Sequence, residues 1–445
     1  MHEIHESLAL LVGKSCKSWA LALEYLESVK DRNCHVRLIK VDKLQFGLPI
    51  SNKRKKFEKK YLKKFPNLEV YVLSWKITDI FLLYKMIRSR ELKHKDNLTS
   101  RLEENEKWHL FHAELAAKYE KLNTFLDSLV WNKHWRFITF NGREILPSSF
   151  LKFAMHKNYE TRILERASSS NKYEVYNLSP HTNNEWWDKL DKFHINVEPT
   201  NEMINRAITY LNFKSEGLDP FQKIKWSKYF DAAETIDLQE NRYIVFYSVS
   251  TGEVTPFKKF QSNCGYSSQF AALDDLIRIA QKHELHVIIR RHPNSIGLDS
   301  VDREELLWSR FRARKNVTYI GPKSRVDSYT LAKNALAAFT WRSTIGLELQ
   351  WLGIPTFAMG PAKWAINKKQ LAYNQLEIEE RLENLEPPDL YYPLKFAVYI
   401  SNFGIATNLF QNIERWGVIL DYDEKIINQS FYRFFAKIRF FLTHT

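Results

Sequence analysis

The chain has 445 residues, 44% of them hydrophobic and 14% aromatic, and 66 Lys and Arg against 52 Asp and Glu leave a formal charge of +14. Disorder is excluded, because a disordered chain has too few aromatics and too little apolar content to build a core. Cys16, Cys34 and Cys264 form no C-x-x-C pair, so neither a disulfide framework nor a thiolate zinc site is expected, and a reducing cytoplasm fits.

At roughly 100 to 200 residues per domain, the length suits two or three globular units, two being the simpler reading. The opening MHEIHESLALLVG carries acids and histidines where a signal peptide is basic, and its apolar run is too short to be exported or to cross a bilayer. A soluble or peripheral cytoplasmic chain is expected. Leu8 to Gly13 reads as a strand, Ser18 to Val29 as a helix and Cys34 to Val41 as a second strand, which opens a parallel α/β layer. Gly13-Lys14-Ser15 invites a phosphate-loop reading, but Leu8 stands where that motif needs its first glycine.

From Asn52 to Lys64, NKRKKFEKKYLKK holds eight basic residues against one acid, half the net charge in thirteen positions. As a surface helix it turns Phe57, Tyr61 and Leu62 inward and its lysines outward, either as a plain solvated face or against anionic lipid head groups or a phosphorylated acceptor. Nucleic acid is not expected, since no reading module accompanies the patch. A strand at Leu68 to Leu73 follows, then helices, the longer from about Lys107 to Val130. Trp135 to Asn141 reads as a buried strand ending at a glycine turn, Ser148 to His156 as its helix, and Thr161 to Glu165 as another strand running into Arg166 and the loop ASSSN. Ligands of open α/β sheets collect at such carboxyl ends. Ser179 to Glu198 looks like a linker.

The second half repeats the pattern. Strands are expected at Arg242 to Tyr247, His286 to Ile289, Asn316 to Ile320, Ala335 to Thr340 and Ile354 to Met359, alternating with helices at Ser268 to His283, Asp327 to Lys333 and Ser343 to Trp351. The fold class is therefore α/β, with two doubly wound Rossmann-like domains facing across a cleft. The expected division is 1–198, a first α/β domain; 199–240, a connection; 241–400, a second α/β domain; and 401–445, a helical segment that can pack back on the first domain.

Three segments of the second half can carry phosphate chemistry. Ser343 and Thr344 supply hydroxyls at a helix N-terminus, Gly346 permits close approach, and Glu348 lies about one turn further on, within reach of ribose hydroxyls. In RRHPN, His292 can donate to a phosphate oxygen, Arg290 or Arg291 adds charge and Pro293 stiffens the turn. In SVSTGE, Ser250 and Thr251 can wrap a phosphate beside Gly252, and Glu253 can take a proton from an acceptor hydroxyl. Each segment by itself also suits an ordinary cap, structural loop or turn. There is no H-E-x-x-H, EF-hand loop or G-x-S-x-G, and Asp421-Tyr422-Asp423 is assigned to a surface turn. The chemistry expected is metal-independent handling of a nucleotide, with cationic side chains and helix ends in place of an ion, and no cofactor beyond the co-substrate.

In order, Ser248 to Glu253, Ser268-Gln269, Arg290 to Asn294, Asn316 to Pro322, Asp327 to Tyr329, Ser343 to Glu348 and Gly353 to Pro355 resemble the motifs of the capsule-polysaccharide biosynthesis group of GT-B glycosyltransferases. Phe140-Asn141-Gly142-Arg143 and Glu165-Arg166 resemble that group's F-N-G-R and E-R-G signatures, with Ala167 in place of the last glycine, and Trp341-Arg342 precede Ser343 where a smaller residue is commoner. The resemblance spans about 135 to 360. It implies a transferase that moves a sugar from a nucleotide donor, held by the C-terminal domain, to a growing surface glycan or lipid-linked acceptor held by Asn141, Arg143 and Arg166 in the N-terminal one, with Glu165 or Glu253 as catalytic carboxylate. A glycerol- or ribitol-phosphate transferase of the same fold and a non-catalytic glycan-binding or export protein are the competing readings. The aromatic and basic FYRFFAKIRFF, Phe431 to Phe441, either packs as a final helix or adds to a peripheral membrane face.

Overall fold

The computed structural model describes residues 6–13, 16–32, 34–41, 52–73, 120–142, 145–168, 171–177, 183–216, 218–219, 224–225, 242–249, 265–292, 308–413, 417–421 and 424–427. The chain divides into two compact units, one from Met1–Pro180 with Gly404–Ile438 and the other from His181–Phe403.

The first unit is built on a seven-stranded sheet. Its strands are β1 (Glu6–Val12), β2 (Cys34–Val41), β3 (Leu68–Leu73), β4 (Trp135–Phe140), β5 (Glu160–Arg166) and β6 (Lys172–Tyr176), with β14 (Ile405–Ala406) added from far downstream. The order is β14-β6-β5-β4-β1-β2-β3. β1 to β5 are parallel, and β6 and β14 are antiparallel additions on the β5 side. Parallel strands covered on both faces read as unbroken apolar runs, and β1 shows why. Leu8, Leu10 and Val12 enter the core under helices α1 (Cys16–Ser28) and α2 (Asn52–Leu62), while Ala9 and Leu11 enter a second core on the opposite face with Phe137 and α3 (Ile145–His156).

The second unit opens with helices α4 (Asn183–Asn196) and α5 (Asn201–Ser215) and a short hairpin of β7 (Leu218–Asp219) and β8 (Ile224–Lys225). Its five-stranded sheet comprises β9 (Tyr243–Tyr247), β10 (His286–Arg290), β11 (Val317–Ile320), β12 (Ala337–Thr340) and β13 (Thr356–Ala358). All five are parallel, in the order β11-β10-β9-β12-β13. Ile244 and Phe246 of β9 face one core, and Tyr243, Val245 and Tyr247 face the other. Helices α6 (Gln269–Lys282), α7 (Ser328–Lys333), α8 (Ile345–Trp351), α9 (Gln375–Glu383) and α10 (Tyr391–Asn402) complete the unit. The fold class is thus α/β with two doubly wound parallel sheets, each with its first strand central and the order reversing beside it.

Several expectations shift. The linker-like stretch 179–198 contains α4, whose Trp186 packs on Phe396 and Tyr399 of α10, so it belongs to the second unit. Within 199–240, α5 is likewise part of that unit, with Trp351 Nε1 donating to Asn212 Oδ1 at 2.8 Å. The segment 401–445 is helical among the described residues only at 401–402, the end of α10. It supplies β14 and an antiparallel sheet of β15 (Asn412–Ile413), β16 (Gly417–Asp421) and β17 (Glu424–Ile427), while Phe431 to Phe441 lies outside the described residues. Three successive backbone N–H groups drive the docking of this return, those of Asn408, Leu409 and Phe410, which donate to the carboxylate of Glu24 at 2.8–2.9 Å.

Candidate functional site

In an open parallel sheet the loops on either side of the order reversal splay apart at the carboxyl ends and leave room for a ligand. In the second unit those strands are β9 and β12. The loops leaving them begin with Ser248 and with Trp341-Arg342-Ser343, so two of the three segments singled out by sequence flank one switch point. The third, at His292, follows the neighbouring strand β10 and is tied in, because its backbone N–H donates to Ser248 Oγ at 3.1 Å. Ser250, Thr251 and Glu253 lie outside the described residues, but the base of their loop is clamped. The Gln269 amide accepts from Val249 N–H and donates to Val249 O, both at 3.1 Å, and Ser268 caps α6 by accepting from Ala271 N–H. Gln269 stands in the sequence only as part of a motif; in the fold it pins the start of a loop twenty positions away.

The turn into α8 is held from two sides. Ser343 N–H donates to Thr340 Oγ1 at 2.9 Å, and Trp364 Nε1 donates to Ser343 O at 2.8 Å. Thr344 is exposed, and its hydroxyl makes no capping bond. Gly346 permits close approach of a tryptophan rather than of a ligand, since a Cβ there would stand 2.1 Å from the Trp364 ring. Trp341, unusual for the motif, is buried against Gly360 and belongs to the core.

Two expected ligands turn inward. Arg290 is 2% exposed, and its guanidinium donates to Gly321 O at 2.8 Å, Ser324 O at 3.2 Å and Ser328 Oγ at 3.4 Å. It shapes the loop after β11 instead of presenting charge to a phosphate. Arg291 is also buried, over the Trp308 ring at 4.5 Å. Glu348 is 6% exposed and accepts from the Tyr329 phenol, which also donates to Lys214 O at 3.0 Å. Burial pushes its carboxyl up to about 7, with the Lys214 charge and the phenol pulling the other way. The result is a buried acid within one turn of the Ser343 loop, partly protonated at neutral pH, rather than a solvent-facing acceptor for ribose.

In the first unit the reversal lies between β1 and β4. Gly13, at the end of β1, donates its N–H to Ser18 Oγ at 3.0 Å, while Lys14 and Ser15 lie outside the described residues. The ends of β4 and β5 bring three predicted residues together. Asn141 Nδ2 donates to Glu165 Oε2, Arg166 N–H donates to Glu165 Oε1 at 3.0 Å, and Arg166 Nη1 donates to Ile413 O at 3.3 Å. Arg166 therefore reaches the returning C-terminal segment. Arg143 lies outside the described residues. Among the described residues no three His, Cys, Asp or Glu side chains stand close enough to share a metal ion, and no helix is long and apolar enough to cross a membrane.

A cavity of about 840 Å³, unforeseen from sequence, opens at the opposite, amino ends of the same strands, lined by Glu6, Arg32, Arg136 and Glu160 among others. Its central charges are spent on each other: Arg136 bonds Glu160 at 2.6 Å and also Glu6, which Arg32 meets at 3.3 Å.

No protein-family model matches this sequence, and no curated protein matches it. Among solved structures, the UDP-GlcNAc 2-epimerase of Methanocaldococcus jannaschii with UDP-GlcNAc and UDP is 12% identical over 89% of this chain and 100% of its own, with a TM-score of 0.31. The Neisseria meningitidis UDP-GlcNAc 2-epimerase bound to UDP-GlcNAc is 12% identical over 89% and 94%, at 0.27. The N-terminal domain of the Candida albicans trehalose-6-phosphate phosphatase is 9% identical over 90% and 94%, at 0.31. Likeness this loose leaves the functional reading to the residues.

Proposed function

We propose that this protein is a metal-independent glycosyltransferase of the capsule-polysaccharide type. In this reading the second unit holds a nucleotide-activated sugar, and the first holds a growing surface glycan or lipid-linked acceptor. The observation that carries it is the placement of the Ser248 and Ser343 loops on the two sides of one switch point, with His292 tied to the same place. The donor phosphates sit by Ser343, Thr344, His292 and the Ser250-Thr251 loop. Glu348 is kept as the nearest buried acid, one turn from the donor. A carboxylate, Glu165 in preference to Glu253, takes the acceptor hydroxyl proton as that oxygen bonds to the anomeric carbon and the nucleotide leaves with the electron pair. Glu165 is favoured because a base for the acceptor must touch the acceptor, and it stands beside Asn141 and Arg166 in the acceptor unit.

The test is incubation with uridine, guanosine and cytidine diphosphate sugars, cytidine monophosphate acidic sugars, and cytidine diphosphate glycerol or ribitol, with detection of free nucleotide in the presence of glycan acceptors. Release from a sugar donor supports this reading. Release from the glycerol or ribitol donor alone replaces it with the phosphate-transferase reading, and glycan binding without release replaces it with the export-protein reading.

The acceptor is proposed to be met at an anionic membrane surface. On α2, Phe57, Tyr61 and Leu62 pack inward and Arg54 lies over Trp19 at 4.8 Å, leaving Lys56, Lys59, Lys60, Lys63 and Lys64 exposed. Flotation with anionic vesicles should be strong at low salt and fall as screening grows; indifference at low salt would remove the membrane from the proposal.

A further inference from the structure

Asn141 is one of three non-glycine residues with positive φ among the described residues, at 61°, and Gly142 follows at 72°. Two successive left-handed residues at a strand end make a tight turn, and asparagine is among the few side-chain-bearing residues that tolerate that backbone. Glycine would tolerate it better, so conformation alone does not account for the amide. What asparagine adds is a donor. Its backbone N–H continues the ladder to Leu164 O at 2.9 Å, and its Nδ2 reaches the carboxylate of the adjacent strand's Glu165. With Arg166 N–H on the other oxygen, both oxygens of Glu165 are oriented by donors fixed to the backbone of β4 and β5. The Asn141 side chain is itself largely buried. An aspartate here would keep the turn and set a second carboxylate against the first.

We infer that Asn141 is a positioning residue, whose left-handed backbone and side-chain amide aim the carboxylate of Glu165, rather than a ligand of the acceptor. The inference rests on the reading of Glu165 as the base, and the two are tested apart. Asn141→Gly keeps the backbone conformation at no steric penalty and removes only the amide. Because a misaimed group loses rate without weakening binding, it should lower kcat about 10- to 100-fold and leave the donor and acceptor KM within about twofold. In a Glu165→Asp background, whose shorter side chain forgoes the same hydrogen bond, Asn141→Gly should cost nothing further, since residues acting as a unit are non-additive. A rise in acceptor KM, an unchanged kcat, or an equal loss in both backgrounds overturns the inference. Wild-type turnover in Glu165→Gln instead overturns the base assignment and leaves the positioning claim to a substrate-free measurement. Hydrogen exchange of the Arg166 amide, which faces the same carboxylate, should quicken severalfold in Asn141→Gly; an unchanged rate there overturns the claim as well.

Discussion

The two sheets share one parallel topology, with the first strand central and the order reversing beside it, yet they partner their buried carboxylates differently. In the first unit, Glu24 and Glu165 are each met by backbone N–H donors: three successive groups of the returning segment for Glu24, Arg166 N–H plus the Asn141 amide for Glu165. In the second, Glu348 of α8 is buried with a single phenol, that of Tyr329, for company, and its carboxyl rises to about 7. Burial disfavours the charged form, and hydrogen bonds to that form oppose burial. Glu24 is only 1% exposed, and its carboxyl is raised by burial while its three N–H donors hold it back. Donors to the charged form thus offset burial without overturning it: Glu24, with three N–H groups, is still raised, and Glu348, with one phenol, rises to about 7.

The comparison can be broken first at the turn that precedes Glu348. Gly346→Ala drives a methyl into the Trp364 ring, whose Nε1 holds Ser343. Overpacking of this kind costs about 1 to 3 kcal/mol, and the upper end is expected because Trp364 is fully buried. A lowered denaturation midpoint together with weakened nucleotide binding is the expected pair, while a full-strength midpoint would show that the indole can move.

Glu24→Gln sets an amide NH₂ against a cradle of N–H donors. Leaving buried groups unsatisfied costs about 1 to 3 kcal/mol, so a loss of about 2 kcal/mol is expected, with proteolytic cleavage appearing first in the segment 404–413. Loss of stability without that cleavage would mean that the segment is held by other contacts, such as Thr407 with Asn171 O at 2.9 Å.

Glu348→Gln sharpens the comparison through pH. The folded-state value, about 7, lies above the ordinary 4.5, so the group's contribution to stability is present below about pH 4.5 and is lost as pH rises through about 7. The glutamine variant does not titrate and can still accept from the Tyr329 phenol. It should match the wild type near pH 4 and exceed it near pH 8.5 by about 1 to 3 kcal/mol, read from chemical denaturation at both pH values. An equal difference at both would show that the fold does not raise the Glu348 carboxyl above its unfolded value.

Much of the fold was legible in the chain. β1, β9 and β10 are apolar runs buried on both faces, and such runs need no knowledge of their neighbours to be read as parallel strands. The helix starts at Ser268 and Asp327 were equally plain, since both residues cap by local hydrogen bonds. β6 and β14 were missed because short antiparallel strands added to one side of a sheet owe their existence to pairing across it, Ile405 with Tyr173, and carry little pattern of their own. The same holds for α4, whose Trp186 and Phe193 define a buried face only where they meet the distant α10.

Sequence alone therefore determined the α/β alternation, the strands that would carry loops of serine, threonine and histidine, and the placement of Asn141 and Glu165 each at the end of a strand. Those follow from local periodicity and from the rule that parallel strands empty their loops at one edge. Only the tertiary structure decided what each charge is for. Arg290 looked like a phosphate ligand until the carbonyls of Gly321 and Ser324 closed around it, and Glu348 looked solvent-facing until Tyr329 and α5 covered it. A side chain's charge is written in the sequence, whereas its burial and its partners are sums over residues far apart in the chain, and these set whether the charge is kept, neutralised or spent on the fold.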